Sequence, residues 1–205
     1  EQAAQVMKAG KPMFIDKPIA GHLNEAIAIF ELSKKYNVPL FSSSSLRYTA
    51  ATQEIHNGKY GEVIGADSYG PDNSEPSHGD FTWYGIHAVE ALYAVMGTGC
   101  KEVSCASVPG TEVATGIWEG DRIGTFRANV KAKYVFGGTV FTKEGAFQMG
   151  SEIPYEALLQ RIIGFFDTGV VPVTPQETIE IFTFMEAASV SKARGGVPVM
   201  MSEGY

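Results

Sequence analysis

The sequence is short of the features that staple or anchor a chain. It has two cysteines, Cys100 and Cys105, spaced C-x4-C where common zinc and redox sites use C-x2-C. If that segment is a strand, their odd separation points them to opposite faces. Both read as ordinary small buried residues, and two thiols name no compartment. No run approaches the ~18 apolar residues of a membrane span. The net charge of −7 provides neither the basic face of a nucleic-acid binder nor a polybasic membrane contact. No P-loop, no G-x-S-x-G elbow and no G-x-G-x-x-G after a strand is present. His22, His56 and His78 lack partners at metal-ligand spacing, so no metal site is expected. What is there is 205 residues, 44% hydrophobic and 19% charged, long enough to bury a full core without staples.

Residues 1–9 read as a helix stopped by Gly10. The chain opens inside that helix with no cap before it, so the native N-terminus is expected upstream. Pro12 to Ile15 is a short apolar strand ending in Asp16-Lys17-Pro18. Residues 23–36 are an amphipathic helix with Leu23, Ile27, Phe30 and Leu32 close together, and Val38 to Phe41 is a second strand. This is the helix–strand–helix–strand rhythm of a parallel α/β unit. Ser42 to Ser45 reads as a low-complexity linker or, preferably, a loop crossing between domains.

A helix is expected over 49–57, exiting at Asn57-Gly58, then a strand over Val63–Tyr69 and a polar loop over 70–80. Phe81 to Met96 reads as an aromatic-rich helix ended by Gly97. Several strands follow from 101 to about 149. Within them Thr125, Arg127 and Asn129 alternate with Phe126, Ala128 and Val130, the period of a strand with one buried face. Gly137-Gly138 fits a tight hairpin. The runs predict an antiparallel sheet with one open face. A helix is expected over Pro154–Asp167. The last helix starts at a capping box of Thr174, Pro175 and Glu177, and Phe182, Met185 and Ser189 continue its inner face.

Two residues are the first candidates for chemistry. Lys17 lies past the carboxyl end of a predicted buried strand, where open α/β sheets bind ligands. Its ammonium can hold a hydroxyl, or relay a proton if burial lowers its pKa; a solvated turn lysine is the plainer alternative. His87 sits in Trp83-Tyr84-Gly85-Ile86-His87, one helical turn from Trp83, with Glu90 placed to orient its ring. A half-buried core histidine is the alternative there. His78, beside Asp80, is expected to be largely exposed.

The run Gly10-Lys11-Pro12-Met13-Phe14-Ile15-Asp16-Lys17-Pro18-Ile19-Ala20 resembles the Glu-Lys-Pro segment of the glucose–fructose oxidoreductase/inositol dehydrogenase (Gfo/Idh/MocA) family, with Asp16 for the usual Glu. Gly85-Ile86-His87 resembles that family's Asp-x3-His helix, and Val173 to Glu177 its closing helix. The resemblance covers essentially the whole chain. It implies an α/β remnant of a Rossmann sheet, residues 1–45, followed by an α+β domain, residues 46–205, with a predominantly antiparallel open sheet and helices on one face.

The resemblance further implies a cytoplasmic NAD(P)-dependent oxidoreductase acting on a sugar, cyclitol or related polyol, a homo-oligomer through the open sheet. Lys17 and His87 would be catalytic, the lysine polarising the reacting oxygen and the histidine exchanging its proton. Asp16, Lys17 and Pro18 would border the cofactor. Arg47, Tyr48, Trp83 and Tyr84 would contact substrate, with a structural salt bridge open for Arg47 and core packing for Trp83. The family's glycine loop is not in this sequence, so this piece alone is expected not to hold NAD or NADP. Trp83 stands where the family has Asp, and an indole cannot replace a carboxylate as acid or base. That leaves two further readings, a non-catalytic sugar-sensing or structural protein and an NAD-assisted glycosidase or lyase.

Overall fold

The structure, a computed structural model, describes residues 2–131 and 133–204. It opens with helix α1 (Gln2–Met7), strand β1 (Met13–Asp16), helix α2 (Leu23–Tyr36) and strand β2 (Leu40–Ser43). Glu1, the first residue of the expected opening helix, lies outside the described residues. Helix α2 ends where Asn37 takes left-handed backbone, and the Val38 N–H turns back to the Ser33 carbonyl, a Schellman-type stop. Strands β1 and β2 pair in parallel, Met13 opposite Leu40 and Asp16 opposite Ser43, as the α/β rhythm predicted.

A 3-10 turn (Ser45–Tyr48) and helix α3 (Ala50–His56) lead into strand β3 (Val63–Pro71) and helix α4 (Ile86–Met96). Then come β4 (Cys100–Val108), β5 (Thr111–Trp118), β6 (Arg122–Asn129), β7 (Gly137–Thr142) and β8 (Gly145–Gln148). Helices α5 (Tyr155–Thr168) and α6 (Pro175–Ala193) precede a short last strand, β9 (Val199–Met200). The larger sheet has seven strands in the order β8-β7-β3-β6-β5-β4-β9. The sheet is mixed, which corrects the antiparallel expectation: β3 and β6 run parallel at its centre, and their neighbours are antiparallel. The cause is topological. Helix α4 and the β4–β5 hairpin separate β3 from β6, so the chain returns beside β3 in the same direction.

Helices α4 and α6 cover one face of this sheet. Phe126, Ala128 and Ala114 point into the core beneath them, while Ile123, Thr125 and Arg127 point away. Trp118 anchors the core; its indole N–H donates to the Gly97 carbonyl at 2.9 Å and its ring packs on Tyr93 and Phe184. None of the helices among the described residues is long and apolar enough to cross a membrane.

Three local expectations are corrected. Cys100 and Cys105 both face the core, because a bulge between Cys100 and Glu102 inserts a residue and brings Cys100 round. Gly137 and Gly138 are not a turn but the start of β7. A Cβ on Gly138 would lie 2.4 Å from the Asp67 carbonyl oxygen and one on Gly137 2.3 Å from the Tyr69 hydroxyl, so these glycines permit close strand approach. Helix α4 starts at Ile86 and not at Phe81. Phe81 has φ of 67°, and the Ile86 N–H reaches back to the Phe81 carbonyl at 2.7 Å, so residues 81–85 form turns.

Candidate functional site

The site lies where the end of β1, in the smaller sheet, meets the turns before α4. Lys17 directly follows strand β1 at its carboxyl end, and the Lys17–Pro18 peptide is cis. The ammonium donates to the Trp83 carbonyl at 3.1 Å and lies 5.0 Å from the Tyr84 ring centre and 5.6 Å from that of Trp83. Aromatic faces favour a cation there. Burial lowers the Lys17 pKa from its ordinary value, with Asp16 and Glu90 pulling it back up.

His87 occupies the first turn of α4. Its Nδ1 lies 2.7 Å from the Ser44 hydroxyl oxygen, and its ring meets Tyr84 and Phe136 edge-on at 5.6 and 5.5 Å. Burial, aided by the Lys17 charge, pushes its pKa down to about 3, so the imidazole is neutral at physiological pH. Tyr84 and His87 line a cavity of about 280 Å³, together with Ser45, Leu46, Tyr134, Phe136, Ser151 and Tyr155. Among the described residues, its lining contains no Asp, Glu, Lys or Arg side chain.

Arg47 and Tyr48 do not line this cavity. Arg47 is buried, with Nε 3.0 Å from Glu90 and Nη2 2.6 Å from Glu177. Burial works against its charge, but the two carboxylates outweigh that and raise its pKa. Arg47 thus forms the salt bridge that the sequence left open for it. Tyr48 is buried beneath the Arg161 guanidinium, 5.7 Å from its ring, a packing position. Glu90 is committed to Arg47, and the hydrogen-bond partner of the His87 ring is Ser44. Glu177 accepts Arg47 while Thr174 still caps the Glu177 N–H at 3.2 Å.

Trp83 is partly exposed and packs edge-on against His78 at 4.7 Å. His78 is half-buried by this contact. With Trp83 outside α4, its ring is not among the cavity's lining residues, and its carbonyl is what meets Lys17. Asp72, which the sequence did not single out, is buried and accepts the Gly85 N–H at 3.1 Å. Burial pushes its carboxyl up to about 6. Ser44, Tyr134, Ser151 and Tyr155 were also missed. They come from a serine run, a loop and a helix start, and no local pattern marks them. Among the described residues, no three His, Cys, Asp or Glu are grouped so as to hold a metal ion.

No family model matches the chain. One curated relative, the uncharacterized oxidoreductase YhhX of Escherichia coli (strain K12), is 26% identical over 109 residues, 47% of this chain and 32% of that protein. The match therefore spans about a third of the relative's length. Among solved structures, a probable dehydrogenase from Thermotoga maritima superposes with a TM-score of 0.83 at 19% identity, covering 99% of this chain and 77% of that one. A myo-inositol dehydrogenase from Lactobacillus casei, solved with NAD(H) and myo-inositol, superposes at 0.77 and 13% identity, covering 97% and 73%. At such identity the likeness is one of fold. The chain has the α/β fold of the Gfo/Idh/MocA-type inositol dehydrogenases and related dehydrogenases, as the motif resemblance implied.

Proposed function

We propose that this chain is part of an NAD(P)-dependent oxidoreductase of the Gfo/Idh/MocA family acting on a sugar, cyclitol or related polyol. The observation that carries the reading is that Lys17, just after β1, and His87, on α4, both meet the Tyr84 ring, which lines an aromatic cavity with no charged side chain among its described lining residues. Tyrosine rings and hydroxyls suit the mixed apolar and polar faces of a sugar.

Residues 1–45 would belong to the nucleotide-binding domain and 46–205 to the substrate and oligomerisation domain. The residues present fit a nicotinamide at one end only. Asp16, Lys17 and Pro18, at the carboxyl end of a parallel strand pair, would border the ring; no glycine-rich turn in this sequence would cradle the pyrophosphate. The nicotinamide, when bound, supplies or accepts the hydride. Lys17 and His87 would bind the reacting oxygen and govern its proton, Tyr84 would wall the substrate, and Trp83 would hold Lys17 through its carbonyl. The open sheet face, with Tyr69, Ile123 and Phe141 exposed, would pair two copies.

One observation favours a second reading, a non-catalytic sugar binder: Trp83 supplies no carboxylate beside a histidine that is neutral. A screen of neutral sugars and cyclitols against NAD and NADP, with the complete gene product, separates the two. Reduced nicotinamide should accumulate with at least one polyol and be lost in Lys17→Met. Cofactor and sugar binding without hydride transfer to any polyol would overturn the oxidoreductase reading and favour the binder.

A further inference from the structure

The hydrogen bond between Ser44 and His87 has a direction that the surrounding atoms fix. A serine hydroxyl has one proton to give and two lone pairs to receive with. The Ser44 oxygen already accepts the Leu46 N–H at 3.2 Å, capping the 3-10 turn, and lies 2.7 Å from His87 Nδ1. Ser44 is fully buried, so water does not complete its bonding. If Nδ1 carried the ring proton, the oxygen would accept twice and its own proton would face no acceptor among the described residues. A buried donor left unpaired is disfavoured by roughly tenfold or more. If Nδ1 is bare, the hydroxyl donates to it, accepts from Leu46, and every group is satisfied. The ring proton then sits on Nε2, for which the described residues provide no hydrogen-bond partner, on a ring that lines the cavity.

We propose that Ser44 is a positioning residue that locks His87 as its Nε2–H tautomer, so that the ring offers the cavity a hydrogen-bond donor and not a base. The ligand atom it meets is then an acceptor oxygen, a carbonyl or the lone pair of a neutral hydroxyl. The low pKa of the buried ring agrees with this, since a protonated imidazole would have no bare Nδ1 to receive the serine. The inference sharpens the proposed oxidoreductase site: His87 would polarise the substrate oxygen as a neutral donor, and the hydroxyl proton released when a polyol is oxidised would go to Lys17, whose pKa burial lowers. It rests on that reading only for the identity of the ligand; the tautomer stands apart from any turnover.

The molecule contains its own reference. His56 Nδ1 lies 2.7 Å from the Ala94 carbonyl, an atom that can only accept, so His56 must carry its proton on Nδ1. The two histidines should therefore show opposite patterns. Long-range proton–nitrogen NMR on the histidine-labelled protein, with His87 assigned by His87→Gln, reads this directly. The expected result is an unprotonated-type Nδ1 and a protonated-type Nε2 for His87, with the reverse for His56. Ser44→Ala should move the His87 Nδ1 signal toward the tautomer average and leave His56 unchanged, and Ser44→Thr should restore it. A protonated Nδ1 on His87 in the unaltered protein, a measurement that needs no variant, overturns the proposal. So does a Ser44→Ala protein that keeps the His56 signature and shows an unshifted His87. In a turnover assay, Ser44→Ala should raise KM for the polyol several-fold more than it lowers kcat. Absence of turnover in every protein would count against the oxidoreductase reading while leaving the NMR result to decide the tautomer.

Discussion

Replacing Glu90 with leucine removes the carboxylate that Arg47 meets at 3.0 Å inside the protein. The guanidinium stays behind, 5% exposed, with Glu177 as its remaining countercharge at 2.6 Å. Breaking a buried ion pair from one side costs about 3–5 kcal/mol, because a charge is left with too little compensation. Glu177 still neutralises Arg47, so the lower end applies, about 3 kcal/mol. For a chain of this size that corresponds to a fall in Tm of roughly 6–12 °C. Arg47→Met leaves two carboxylates facing one another and should cost at least as much. The double variant Arg47→Met/Glu90→Leu swaps the pair for apolar groups of similar volume, often a nearly neutral change. It should be more stable than either single variant, with a coupling of about 2–3 kcal/mol. Urea unfolding with unchanged m-values provides the measurement. A Glu90→Leu protein within about 1 kcal/mol of the parent, or single-variant losses that simply add, would refute the claim that this cluster ties the 3-10 turn to α4 and α6.

Other outcomes follow from the same atoms. Asp72 has a folded-state pKa of about 6, above its ordinary ~3.9, so the native state binds the extra proton and stability falls as pH rises through that window. Asp72→Asn keeps the acceptor for Gly85 and should stabilise the protein by about 1–3 kcal/mol at pH 7.5, a gain that fades below pH 4; thermal melts across pH would show a flat difference if this is wrong. Gly138→Ala should push β7 from β3, since its Cβ would sit 2.4 Å from the Asp67 oxygen; a loss of about 2–3 kcal/mol in urea is expected, and an unchanged midpoint would contradict it. Ile123→Glu, on the open sheet face, should turn a dimer into a monomer by light scattering, with little change in unfolding; a parent protein that is already monomeric would remove the proposed pairing.

The first parallel unit was readable in the sequence because two short apolar runs flank an amphipathic helix, and each signal is local. The face alternation of β6 was readable for the same reason. Strand order was not, since a period of two tells which face a residue takes and never which strand lies beside it. The inserted residue after Cys100 reversed a face assignment that counting alone gave with the opposite sign. Gly137-Gly138 carries the composition of a turn, but its reason is the approach of β3, some 70 residues earlier in the chain. The site divides along the same line. Lys17 and His87 drew attention through their short neighbourhoods, while Arg47, Glu90 and Glu177 declare their ion cluster only when three separate elements meet. Ser44 was hidden in plain composition, one of four serines in a row.

Trp83 stands where the motif resemblance would place an acid, and the structure shows what meets Lys17 there. A carboxylate there would offer Lys17 a charged partner. The structure gives the lysine a main-chain carbonyl at 3.1 Å and two aromatic faces, partners that favour a cation more weakly than a carboxylate does. Lys17 is accordingly lowered in pKa by its burial, which makes its proton easier to release. The segment carrying Trp83 is tied at two adjacent residues just before it: the Gly79 N–H donates to the Gly21 carbonyl at 2.9 Å, and Asp80 meets Lys192 at 3.0 Å. The first bond joins it to the start of α2, which follows Lys17 in the chain, and the second to α6. The lysine and the histidine are therefore held in register by backbone and packing, through a loop pinned to both parts of the molecule. An acidic residue at position 83 is not needed to bring them together.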